Sequence, residues 1–147
     1  MTSLPAPADG ATRHPSPSTS SSPLVTRTVP LTLDRLESLL AYLPAGPATE
    51  LFSWVRRGEG MVGWGRALEQ RVSGPDRFGE LRRWWGEVTA GAIERNEVGI
   101  PGTGPVAFGS IAYAGSSPAG ATLVVPSVVL GRRGDRAWLT TTAVGGE

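Results

Sequence analysis

Phe52-Ser-Trp-Val-Arg-Arg-Gly-Glu-Gly-Met-Val-Gly-Trp-Gly65 has the form of a β-hairpin. An apolar strand runs into a short charged Gly-x-Gly turn at 58–60, and a second strand follows with glycine at alternate positions. Phe52 and Trp54 on the first arm, and Val62 and Trp64 on the second, stand at period-two spacing, so each arm places its large groups on one face of a sheet. Gly63 and Gly65 fall on the opposite face of the second arm. An alternating glycine face signals that a neighbouring layer or a ligand comes close to the backbone. The tryptophans are expected to fill a core, and Arg56 and Arg57 to cap the turn.

Working outward, Leu24 to Leu31 alternates well enough for a first strand, with Val25 and Val29 β-branched. Thr32 can cap a following helix whose first turn holds Asp34. Leu33, Leu36, Leu40 and Leu43 recur at three- and four-residue intervals as its buried stripe, and Pro44 stops it. The second arm of the hairpin is read as running on through Leu68 to Val72. Ser73-Gly-Pro-Asp76 opens a second helix, with Pro75 near its first position. Phe78, Leu81, Trp85, Val88 and Ala92 form its apolar face, Arg82, Arg83, Glu87 and Glu94 lie away from it, and Arg83 can pair with Glu87. Gly79, Gly86 and Gly91 weaken this helix and suggest close packing on a neighbour. Residues 99–105 form a loop. Strands are expected at 106–113, at 122–130 with Pro126 at an edge or bulge, and at 136–142 after a turn at 131–135. The fold class is α+β: an antiparallel, hairpin-rich sheet with two packed helices.

Composition limits the chemistry. The 147 residues suit one domain, here 24–147, preceded by a Pro/Ser/Thr-rich stretch at 1–23 predicted to be a disordered tail. That stretch lacks the continuous apolar core of a secretory signal. A net charge of +1 with scattered basic residues gives no case for nucleic acid, and no apolar run is long enough for a membrane span. With no cysteine, disulfides and thiolate sites are excluded, which suits a cytoplasmic protein. The chain also has no lysine, and its single histidine, His14, lies in the tail. Arginine stays protonated, so the folded part offers no lysine, histidine or cysteine for acid–base or nucleophilic work.

Four features are candidate sites. The Gly102-Thr-Gly-Pro105 loop could cradle a phosphate, but it lacks the ending of a P-loop and leads into a strand, so it reads as structural. Arg56 and Arg57 could grip a carboxylate; beside Glu59 at a tight turn, a solvated tip is the simpler reading. Trp84 and Trp85 could stack a ligand, but adjacent helical residues diverge by about 100°, which puts one in the core and one at its border. Arg133-Gly-Asp135 reads as a hairpin turn. None is a catalytic, cofactor-binding or metal-binding constellation, so no residue of the chain is assigned such a role.

As wording, FSWVRRGEGMVGWG resembles the opening of isochorismate synthases, within the family of chorismate-utilising enzymes. Pro101-Gly-Thr-Gly-Pro-Val-Ala-Phe-Gly-Ser110 is similar to the segment after that family's first long helix. Leu123-Val-Val-Pro-Ser-Val-Val-Leu-Gly-Arg-Arg133 and Ala137-Trp-Leu-Thr140 are similar to its next strands, in the same order. Where tryptophan-regulated and glutamine-dependent relatives carry Leu-Glu-Ser, this hairpin does not; the chain's Leu36-Glu-Ser38 lies in another context. The resemblance therefore implies the N-terminal portion of an isochorismate synthase, covering about 24–142. Salicylate or anthranilate synthase is the alternative within the class, and a complete, non-catalytic α+β binding domain the alternative outside it. It also implies chorismate as substrate, a Mg²⁺ cofactor in the full-length enzyme, and menaquinone or siderophore synthesis as the setting. The implied lysine base, glutamate acid and metal-holding glutamates would all follow the end of this chain. The chain is accordingly expected to be inactive alone and to pack on that missing C-terminal half.

Overall fold

The computed structural model describes residues 22–34, 36–47 and 50–145. The tail predicted at 1–23 lies almost wholly outside the described residues. Nine strands and one α-helix are seen among them: β1 (Leu24–Leu31), β2 (Leu51–Arg56), β3 (Glu59–Trp64), β4 (Leu68–Val72), α1 (Arg77–Ala90), β5 (Ile93–Asn96), β6 (Phe108–Ile111), β7 (Ala121–Val125), β8 (Val128–Arg133) and β9 (Arg136–Val144). Six strands form one sheet in the order β2-β3-β8-β9-β1-β5, and three form a second in the order β4-β7-β6. All pairings are antiparallel except β1 with β5. The α+β class and the hairpin-rich sheet are as the sequence predicts.

The first of the two expected helices is absent as such. In its place Leu39–Tyr42 forms a short 3-10 helix. Two local bonds compete with an α-helix: the Asp34 carboxylate accepts from the Leu36 amide at 2.9 Å, and Ser38 Oγ accepts from Leu40. Leu36 is 95% exposed, while Leu39, outside the predicted stripe, is fully buried. Leu39 packs with Val62 and Leu130, flanked by Leu31, Leu33, Leu43, Val55, Trp64 and Leu139.

The α-helix starts one residue after Asp76 and packs on β4 and β7 through buried Leu81. Phe78 does not join that face. It is 53% exposed and stacks under the Arg77 guanidinium, 4.7 Å from the ring centroid. Arg77 itself is buried, donating to the Ala112 and Tyr113 carbonyls at 2.9 and 2.6 Å. Arg83 pairs with Asp76 at 3.0 Å rather than with Glu87, and Gly79 leaves room for that carboxylate. Gly86 meets nothing within 4 Å, so it serves no close packing. Ala92 and Glu94 lie beyond the helix, Glu94 on β5, a strand whose charged Ile-Glu-Arg-Asn sequence gives no alternating signal.

Two strands predicted as continuous divide between the sheets. β3 ends at Trp64, Gly65 turns with φ +71°, and β4 pairs with β7 instead. Likewise β7 ends at Val125, and after Pro126 and Ser127 the chain enters the larger sheet as β8. Pro126 sits at this corner, where its missing N–H disrupts no ladder. A Cβ on Gly63 would come within 3.1 Å of the Pro126 ring, so the neighbouring layer anticipated from the alternate glycines is this corner.

Candidate functional site

Strand register sorts the hairpin residues. Phe52 pairs with Gly63, Trp54 with Met61 and Arg56 with Glu59, so these six share one face. Val62 and Trp64 point the other way, towards the Leu39 cluster. Large groups of the two arms therefore occupy opposite faces, and Trp54 is 72% exposed instead of filling a core. The turn is made by Arg57 (φ 55°) and Gly58 (φ 78°), both left-handed, which is the backbone of a two-residue type I′ hairpin.

The β8–β9 hairpin continues the same face. A two-residue turn at Gly134–Asp135 pairs Arg133 with Arg136 and Gly131 with Trp138. The Trp138 indole lies across Gly131, where a Cβ would overlap the ring. Arg132 points to the opposite face and straps the two hairpin tips together. Its Nε and Nη2 donate to the Gly58 carbonyl at 3.1 and 2.8 Å, and its Nη1 to the Asp34 and Glu37 carbonyls. Glu59 completes the strap by accepting from the Gly134 amide at 2.7 Å.

Between the joined tips and the 101–102 loop lies a cavity of about 560 Å³. Trp54, Met61, Trp138, Pro101 and Gly102 give it apolar walls, and Arg56, Arg57, Arg132, Arg133 and Glu59 its charge. Arg132 is committed to carbonyls. The side chains of Arg56, Arg57 and Arg133 are exposed and make no hydrogen bond or ion pair with a described residue. Trp138 is 2% exposed, yet its Nε1–H has no acceptor among the described residues. The wall has no candidate base except Glu59, whose carboxylate is already engaged. The arrangement has the charge to bind an anion.

The other predicted features fall elsewhere. The Gly102–Pro105 loop spends its amides internally: Thr103 N donates to the Ile100 carbonyl at 3.1 Å and Gly104 N to Thr28 Oγ1 at 3.1 Å. It is structural, although Gly102 lies against Trp138 and Met61 at the cavity wall. Trp84 and Trp85 have ring centroids 6.3 Å apart, and both are half-buried, so neither is a core residue. Trp84 lines a second cavity of about 380 Å³ with Leu24, Leu68, Val88 and Val144. Arg133-Gly-Asp135 forms the turn expected of it.

Sequence reasoning joined Arg56 to Arg57 but missed Arg133, Met61 and Trp138. The usable signal was the turn: a two-residue loop at Gly134–Asp135 fixes Gly131 opposite Trp138, a glycine covered by an aromatic neighbour. Away from the cavity, Glu69 accepts from Arg71 at 2.9 Å and from Arg66 at 2.7 Å. The Arg71 hydrogen bond chiefly holds its carboxyl below the ordinary value. Partial burial opposes this, and the Arg66 and Arg71 charges add to it.

No helix among the described residues is long and apolar enough to cross a membrane. Nor do the described residues contain three or more His, Cys, Asp or Glu grouped to hold a metal ion. They do not fit the Mg²⁺ that the resemblance implies. Comparison with curated proteins and with solved structures gives no significant match. A family model described as chorismate binding enzyme matches residues 15–146, nearly the whole chain, and the chain therefore belongs to the chorismate binding enzyme family.

Proposed function

We propose that this chain is the N-terminal portion of an isochorismate synthase, a cytoplasmic enzyme that converts chorismate to isochorismate for menaquinone or siderophore synthesis. Family membership supports the chorismate part. The observation that carries the finer reading is the hairpin at 52–65, which has isochorismate-synthase wording and no Leu-Glu-Ser. In this proposal the chain supplies scaffold. Its lysine-free sequence has no side chain matched to the implied base, and the described carboxylates do not group around a metal. Open edges at β2 and β5 of the larger sheet, and at β4 and β6 of the smaller, are suited to packing against a C-terminal half.

Two assays test this. Incubated with chorismate and Mg²⁺, the purified 147-residue chain should form no isochorismate; measurable product would overturn the scaffold role. The enzyme expressed from the same gene with all coding sequence downstream of Glu147 should release isochorismate. Salicylate or anthranilate as its product would instead assign another chorismate reaction, and a stop codon directly after Glu147 would favour a non-catalytic binding domain.

A further inference from the structure

We propose that the free edge of β2 pairs with the β2 edge of a second copy of this chain, about a two-fold axis through Ser53. Backbone alternation sets which groups are available. Gly65 N donates to the Glu50 carbonyl at 3.1 Å, which fixes Glu50, Phe52, Trp54 and Arg56 as the residues bonded to the β3 side. Leu51, Ser53 and Val55 turn their N–H and C=O groups outward, where they meet no partner among the described residues. Ser53 and Trp54 are exposed, so the edge is open.

Of the four open edges, β2 alone lacks the features that discourage pairing. β5 is charged at its centre, through Glu94 and Arg95. β4 carries the Glu69–Arg71 ion pair, and β6 has four residues with Gly109 among them. β2 has six residues, neither proline nor glycine, and one charged residue at its very end, Arg56. Set antiparallel to itself about Ser53, this strand is self-complementary, as a two-fold contact requires. Leu51 of each copy faces Val55 of the other, and their outward groups bond in pairs with those of Ser53. Phe52 faces Trp54, an aromatic cross-strand pair, and Glu50 faces Arg56. Glu50 and Arg56 are both exposed, and neither side chain has a partner among the described residues. Sliding either copy by two residues separates these charges, so they select the register. Growth stops at the dimer, because the joined sheet ends in charged β5 on both sides.

The pairing does not rest on the isochorismate-synthase reading, whose C-terminal half keeps the β4, β5 and β6 edges. One strand against its copy is a small interface, so a dissociation constant of about 10–100 µM is expected. The test is sedimentation equilibrium of the whole 147-residue chain from about 1 to about 500 µM, which should show a monomer–dimer equilibrium. Ser53→Pro removes an outward N–H and no bond to β3, and should weaken the dimer at least about tenfold. Glu50→Arg and Arg56→Glu should each weaken it several-fold by setting like charges opposite one another. An equimolar mixture of those two variants should recover wild-type association, since every charge then meets its opposite; a variant that had merely lost its fold could not be rescued this way. A chain that stays monomeric throughout, species that grow beyond the dimer, or a Ser53→Pro chain that associates as the wild type overturns the β2 contact. A mixture that fails to recover overturns the register about Ser53.

Discussion

The two faces of the β2–β3–β8–β9 region are built from alternate residues of the same strands, yet they resolve into different materials. One face carries Val62, Leu130 and Leu139 onto Leu39. The other carries Trp54, Met61, Arg133 and Trp138 around an open cavity. Neighbours in sequence divide accordingly. Arg132 is 8% exposed and spends its guanidinium on three backbone carbonyls, whereas Arg133 is exposed and its side chain makes no hydrogen bond or ion pair with a described residue. Identical side chains one residue apart thus serve a scaffold and a site. Strand periodicity, not residue type, decides which.

The largest effect should come from the packed face. Leu39→Ala removes a fully buried side chain from the centre of its cluster and should cost about 3 kcal/mol, read as a lower urea midpoint at constant m-value. A loss below about 1 kcal/mol, the scale of surface substitutions, would mean that this face is not the core the contrast requires.

Next is the arginine pair. Arg132→Gln strips charged donors from the Gly58, Asp34 and Glu37 carbonyls and should cost about 2 kcal/mol. Arg133→Gln should fall within about 0.5 kcal/mol of wild type, because nothing described holds it. Equal losses in the two variants would break the comparison outright. A cost for Arg133 alone would reverse it.

The open face also has a buried portion, and there the contrast sharpens. Thr26, Thr28, Thr140 and Thr142 lie on the same side as Trp138 and are all buried. Thr28 Oγ1 sits 2.7 Å from Thr140 Oγ1 and accepts from Gly104 N at 3.1 Å. Thr28→Val should therefore cost about 1–2 kcal/mol despite equal shape, by orphaning a buried amide and a hydroxyl. Trp54→Ala, further out on that face and 72% exposed, should change stability by no more than about 0.5 kcal/mol. Chemical denaturation of the two variants in parallel separates buried from open ground on one face.

Much of this fold was legible in the sequence, because hairpins announce themselves locally. The two hairpin turns, read at 58–60 and 131–135 and found at 57–58 and 134–135, are visible without tertiary information. What could not be read depended on competition between levels of structure. The leucine spacing at 33–43 is genuinely helical, but Asp34 and Ser38 bond the backbone locally and leave only a 3-10 turn. The runs at 59–72 and 121–133 look continuous because each carries apolar, strand-forming residues on both sides of its break. Where each changes sheets is decided by Gly65 and Pro126, in contacts between distant segments. The cavity was half visible for the same reason. Arg56 and Arg57 are adjacent in sequence, whereas Arg133 and Trp138 join them only through the β3–β8 and β8–β9 registers.

The smallest expected effect concerns a third use of arginine. Arg71, unlike the cavity arginines, has a carboxylate partner, and together with Arg66 it holds the Glu69 carboxyl below its ordinary value. A carboxyl depressed in the folded state binds its proton more weakly there than in the unfolded chain. Its contribution to stability is therefore complete above the unfolded pKa, declines as pH falls past that point, and is gone below the folded pKa. Unfolding followed from neutral pH into the acid range should show a small extra loss in the wild type that Arg71→Gln diminishes, and salt should shrink it because the group is partly exposed to solvent. Replacing Arg57 and Arg133 by glutamine should leave that acid limb unaltered, since neither side chain has a carboxylate partner among the described residues. An acid limb that changed with the cavity variants would place an undetected carboxylate among those arginines. The division between committed and open guanidiniums, on which the comparison depends, would then fail.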